Sequence, residues 1–132
     1  MANYNATSRT NTFLVKDVAA FKAWAGKLGV TVHERHDGSG FVLFPDELSD
    51  SGTFPSYDLD TDEEIDFADQ LSTHLAEGSV AVIVEAGAEK LRYVHGHAVA
   101  VNCKGEQLCI GLGDIYEMAE KRFGGEVTRA EY

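Results

Sequence analysis

Residues 80–112 read VAVIVEAGAEKLRYVHGHAVAVNCKGEQLCIGL. Val80 to Val84 is an unbroken apolar run, the pattern of a central strand. From Leu91 to Asn102 the chain alternates Leu91, Tyr93, His95, His97, Val99 and Val101 against Arg92, Val94, Gly96, Ala98 and Ala100. That period of two belongs to a pleated strand, and Gly96 marks a kink or bulge within it. Lys104-Gly105 then turns the chain into a further strand, Gln107 to Leu112. Turns this short join antiparallel neighbours.

Toward the C-terminus, Asp114 with Glu117 forms a capping pattern. Ile115, Met118, Ala119 and Phe123 follow at helical spacing as the core face of a helix that Gly124-Gly125 ends. Toward the N-terminus, Thr61-Asp62-Glu63-Glu64 repeats the capping pattern, with its acids at the positive end of a helix dipole. Ile65, Ala68, Leu71 and Leu75 give that helix a buried face, closed by Gly78. Before it, Val30 to Arg35 and Phe41 to Phe44 flank the turn Asp37-Gly38-Ser39-Gly40 and read as a hairpin. Asp17 caps a first helix whose apolar side carries Val18, Phe21, Trp24, Ala25 and Leu28, and Gly29 supplies its left-handed stop. Thr10 to Val15 reads as a first strand, residues 1–9 as a flexible arm and residues 126–132 as a tail. The order β-α-β-β-α-β-β-β-α over residues 10–125 implies a single two-layer α+β domain. Its sheet is mostly antiparallel, with three helices packed on one face.

The chain has 132 residues, 44% hydrophobic and 25% charged, which fits one globular domain. It contains no run near the ~20 apolar residues of a membrane span and opens on no signal-peptide pattern, so no membrane partner and a cytoplasmic location are expected. Cys103 and Cys109 flank a turn at a spacing that a cross-strand disulfide could meet, but reduced thiols are expected in such a compartment. Neither has a CxxC partner.

Charge is segregated. The formal net charge is -11, from 22 acids and 11 bases. Between His36 and Glu89 there is no Lys or Arg, while 14 acids stand there; the other 78 residues hold 11 bases and 8 acids and sum to +3. Such a run repels itself, a cost that solubility alone does not demand. It suits either a solvated loop and helix face or an electrostatic surface for a basic partner. Direct nucleic-acid binding is excluded as an expectation, because affinity there comes from Lys and Arg meeting phosphates.

Asp58, Asp60, Asp62, Glu64, Asp66 and Asp69 fall at positions 1, 3, 5, 7, 9 and 12 of a calcium-type loop. Glu63 stands where the sharp turn calls for Gly, and Asp69 is one methylene short of the bidentate Glu, so an acidic helix start accounts for the same letters. His33 and His36 fall on a strand and turn and should point apart. His95 and His97 share a strand face with Tyr93, but Cys103, Cys109 and His74 stand at no diagnostic spacing as a third ligand. No GxSxG, P-loop or post-strand GxGxxG occurs. No catalytic residue, metal ligand or cofactor is therefore assigned. The paired bases Lys90 and Arg92 end the acidic stretch and guard a strand edge.

Ser8-Arg9-Thr10-Asn11-Thr12-Phe13, Val15-Lys16-Asp17 and Gly87-Ala88-Glu89-Lys90-Leu91-Arg92-Tyr93 resemble stretches of small acidic proteins carried by plasmids, phages and other mobile elements. The resemblance implies a context, that of anti-restriction and anti-CRISPR factors that block basic nucleic-acid-handling machines, and transfers no functional residue. The expected function is thus a non-enzymatic acidic binding module, a nucleic-acid mimic directed at a basic host protein. Asp58, Asp60, Asp62, Glu63, Glu64 and Asp66 supply the field, with Phe54 and Tyr57 as apolar anchors. Two alternatives stand beside it: a metal-dependent enzyme or regulator on the His95/His97 strand face, and a structural, oligomer-forming accessory protein of the element.

Overall fold

A computed structural model describes residues 4–45, 52–58, 61, 63–89 and 93–130. In chain order the elements are β1 (Tyr4–Thr10), α1 (Val18–Leu28), β2 (Thr31–Glu34), β3 (Phe41–Phe44), β4 (Tyr57–Asp58), β5 (Glu63–Glu64), α2 (Phe67–Ser72), β6 (Val80–Glu89), β7 (Tyr93–Asn102), β8 (Gln107–Gly111) and α3 (Asp114–Phe123). The main sheet runs β1-β6-β7-β8, with every pairing antiparallel; β2 pairs β3, and β4 pairs β5. The fold is α+β with a mostly antiparallel sheet.

Alternation along the strands decides what the sheet buries. Ala81 and Ile83 of β6 lie in register with Val101 and Val99 of β7, and this inner face is covered. Above it Phe21 and Ala25 of α1 and Phe67, Ala68 and Leu71 of α2 join Phe13, Phe41, Leu43 and Leu75 in one apolar cluster. Helix α1 forms where its spacing predicts. Asp17 accepts from the Ala20 N–H, and Gly29 ends the helix at φ 74. Gly40 is required for contact as well as for conformation. A side chain there would strike the Phe13 carbonyl, which accepts from Phe41 N at 2.8 Å.

Several expectations are corrected. Residues 4–10 are not an arm. They form edge strand β1, paired with β6 from Tyr4↔Glu89 to Thr10↔Ile83. The polar sequence concealed this because β1 buries the hydroxyls of Ser8 and Thr10 rather than apolar groups. Its ladder then continues on a side chain: Asn11 donates to Val80 O and accepts from Val82 N, so the chain peels away without orphaning β6. Phe13 and Val15 make single bridges to Phe41 and Leu75 instead of a strand. The second helix is shorter than expected. Glu63 and Glu64 are strand, Asp66 is the N-cap that accepts from Asp69 N, and the helix ends at Ser72, well before Gly78. Gly96 causes no bulge, since β6 and β7 stay in register throughout; its missing Cβ makes room for Leu112.

The third helix departs most. It buries no residue, so only α1 and α2 cover the inner face. Its side-chain cap is absent as well, because the cap position is Gly113, which has no side chain, and Asp114 accepts instead from Gly111 N behind it. The tail expected to be loose folds back through residue 130: Ala130 N donates to Tyr116 Oη, and the Arg129 guanidinium lies over the Tyr116 ring. Cys103 and Cys109 are free thiols. No described helix is long and apolar enough to cross a membrane.

Two predictions follow from this packing. Thr10 Oγ1 accepts from the buried Leu43 N–H at 2.8 Å, the side-chain link between β1 and β3. Thr10→Val keeps the shape and removes the acceptor, so urea unfolding should show a loss of about 1–3 kcal/mol. His74 packs against Trp24 and Phe21, and burial there holds its pKa below the ordinary 6.5, helped by Lys16 and opposed by Asp17. The unfolded chain therefore binds this proton more tightly. Its contribution to stability is complete above the ordinary value and falls as pH drops through it. Stability measured between about pH 7 and pH 5 should decline less steeply in His74→Gln than in the wild type.

Candidate functional site

The acidic residues begin from the hairpin β4–β5. Register pairs Tyr57 with Glu64 and Asp58 with Glu63, and Ile65 N donates to Ser56 O at 2.8 Å to lengthen the pairing. Two residues per strand cannot hold such a hairpin in water. An aromatic stack does so from one side: Phe54 lies on Phe67 at 4.6 Å between centroids and 12° between planes, and Phe67 lies on Trp24 at 5.4 Å. Phe54 is therefore a brace of the hairpin, whereas Tyr57 is 55% exposed. Glu63, Glu64 and Asp66 are exposed, and none of them forms an ion pair among the described residues. Asp66 caps α2, and its second oxygen receives only a long 3.5 Å contact from Gln107 Nε2.

Asp60 and Asp62 lie outside the described residues, as do the loop acids Asp46, Glu47 and Asp50. Of the calcium-type loop, residues 58, 61 and 63–69 are described: Glu63 and Glu64 are strand, and Asp69 lies in the first turn of α2. Beside the hairpin, Lys27 and Leu28 of α1 with Pro55, Ser56 and Tyr57 line a shallow depression of about 240 Å³.

A second cluster sits where the inner face of the main sheet runs out beyond the helices. Glu85 pairs in register with His97, and Gly87 with His95. Glu85, Glu89, His95 and His97 line an open depression of about 320 Å³. Glu85 spans it, with one oxygen 3.8 Å from His97 Nδ1 and the other accepting from Ser8 Oγ at 3.3 Å. The two histidines do share a face, as the alternation predicts. Ser8 bonds the Glu85 carboxylate rather than an imidazole. No group of three or more His, Cys, Asp or Glu able to hold a metal ion occurs among the described residues. His33 and His36, expected to point apart, approach edge to face at 6.2 Å. The turn that Asp37 organises by accepting from Ser39 N brings His36 back over β2. Hydrogen bonding with the Ser39 side chain first, then with its N–H, and Arg35 nearby hold the Asp37 carboxyl below the usual range. Lys90 and Arg92 lie outside the described residues, between Glu89 of β6 and Tyr93 of β7.

One surface escaped the sequence reading. The outer face of β6, β7 and β8 carries Val80, Val84, Val94, Leu108 and Ile110, all large apolar side chains left exposed, and α3 adds Ile115, Met118 and Phe123. The signal lay in the quoted stretch. In residues 80–84 and 98–101 both alternating sets are apolar, whereas a sheet covered on one side needs only one.

Comparison of the chain with protein-family models, curated proteins and solved structures gives no match.

Proposed function

We propose that this chain is a non-enzymatic acidic binding module that occupies a basic, nucleic-acid-handling protein in place of nucleic acid. The observation that supports the reading is the β4–β5 hairpin. It sets Asp58 and Glu63, two acids, at directly opposed positions, and among the described residues no cation pairs with Glu63 or Glu64. Like charges across a strand pair cost up to about 1 kcal/mol. A fold that carries this cost gains from a basic partner that relieves it. Exposed Tyr57 at the rim of the 240 Å³ depression offers a flat ring on which an arginine of the partner can lie. Asp60 and Asp62, adjacent in sequence, add to the same field. The setting that suits this role is the cytoplasm of a cell hosting a mobile element, where restriction and CRISPR machines present basic grooves.

A second reading places a metal-dependent activity in the His95/His97 depression. Glu85, Glu89, His95 and His97 line its open concavity, but among the described residues no three of them are placed to hold a metal ion, which counts against it.

The two readings separate experimentally. Immobilised wild-type chain should capture a basic nucleic-acid-binding protein from host lysate. Capture should weaken steeply as salt rises and be reversed by added duplex DNA. Reversing charge at Asp60→Lys, Asp62→Lys, Glu63→Lys and Glu64→Lys should abolish capture with an unchanged circular dichroism spectrum. His95→Ala with His97→Ala should leave it intact. Capture that survives the charge reversal, or that DNA does not compete, refutes the mimic.

A further inference from the structure

We propose that the outer face of β6, β7 and β8, together with helix α3, is the contact surface between two copies of this chain, α3 of each copy seating on the sheet of the other.

Side-chain alternation builds the surface. On β6 the outward positions are Val80, Val82, Val84, Ala86 and Ala88; on β7 they are Val94, Gly96, Ala98, Ala100 and Asn102; on β8 they are Leu108 and Ile110. None of them is charged, and Asn102 at the end of β7 is the one polar side chain of this set. Register aligns Val84, Ala98 and Ile110 in one row across the three strands, and Val82, Ala100 and Leu108 in the next. Each row is large, small, large. The small residues of β7 therefore floor a trough whose walls are the branched side chains of β6 and β8. Strand β8 is also the open edge of the sheet.

Helix α3 is the matching part. Ile115, Met118 and Phe123 fall on one side of it, with Phe123 81% exposed and Arg122 standing among them, while Glu117, Glu120 and Lys121 take the other side. Tyr116 and Glu120 are engaged by the returning tail, which leaves the apolar side uncovered. A ten-residue helix is marginal in water on its own propensity, so this one needs a surface to lie against.

Area and charge point to a second copy. Of the twelve large apolar side chains exposed among the described residues, nine are Val80, Val84, Val94, Leu108, Ile110, Leu112, Ile115, Met118 and Phe123. At roughly 100 Å² each they present on the order of 900 Å². Taken together, the sheet face and the helix side reach the about 800 Å² per partner of a stable interface. The chain carries -11, so two copies repel wherever their acids meet. The sheet face bears no acid, and it is where two such chains can join. A basic partner, steered by the field, is drawn instead to the acidic middle of the sequence. Each copy also brings one open face and one uncovered helix side. A two-fold pair fills both at once, as an isologous contact does.

The test is the solution mass of the full chain by light scattering and sedimentation across a concentration series. The wild type should sediment at twice 14.4 kDa. Leu108→Glu with Ile110→Glu should weaken the dimer at least about 100-fold and give the single-chain mass, and Met118→Glu with Phe123→Ser should do the same from the helix side. All four side chains are more than half exposed, so the core is untouched and circular dichroism should match the wild type. A wild type that stays at the single-chain mass at all concentrations overturns the proposal, whatever else it binds. A dimer that persists in the sheet pair shows that the face is not the contact. A dimer that persists in the helix pair shows that α3 does not seat on it.

Discussion

The structure depends on a run of aromatic rings that passes through five separate stretches of chain. Phe54 stacks on Phe67, Phe67 on Trp24, and Trp24 stands 6.1 Å from Phe21, which meets Phe13 edge-on at 5.8 Å and Phe41 at 5.4 Å. Trp24 is fixed in the middle by its Nε1–H, which donates to Gln70 Oε1 at 2.9 Å. Each ring pair adds about 0.5–1.5 kcal/mol beyond its buried area. The run does more than fill space. It ties α1 to α2, and it carries the position of the core out to a hairpin that has almost no pairing of its own.

The main sheet is used unevenly as a result. Helices α1 and α2 are short and cover only the part of the inner face that holds Ala81, Ile83, Val99 and Val101. Beyond them the same face turns polar at Glu85, Glu89, His95 and His97, which line an open depression. On β6, β7 and β8 the outer face is apolar but for Asn102 at the end of β7, whereas β1 adds Asn5, Thr7 and Arg9 to it. Strand β6 thus takes part in three environments within ten residues, a packed core, an open polar depression and an uncovered apolar surface.

Much of this order is written in local patterns. The Asp17 cap, the Gly29 stop and the turn between β2 and β3 are set by residues a few positions apart, and they form where the spacing says. β1 is different. Its partner is remote and its buried groups are hydroxyls, so periodicity carries no trace of it. The start of α2 was misplaced because two capping signals follow each other: Thr61 to Glu64 matches the pattern, but cross-strand pairing with Tyr57 and Asp58 captures Glu63 and Glu64 and passes the cap to Asp66. For α3 the helical spacing was right and its meaning was not, since amphipathicity tells that a side wants cover without telling whether the same chain provides it. The pairing of His95 and His97 was legible from alternation, whereas the part Glu85 plays beside them depended on the register between β6 and β7.

The placement of β1 has a kinetic consequence. Ser8 and Glu85 are 77 positions apart in the chain, yet they bond across adjacent strands. During synthesis β1 emerges first and has no ladder to join until β6 has left the ribosome, so the early chain must wait with its strand edge unpaired. Closing a loop of that size before any of its contacts form slows the search, and the assembly of this sheet is expected to be a late, long-range event. The hydroxyl-rich sequence of β1 suits that wait, because it offers little apolar surface to a wrong neighbour in the meantime.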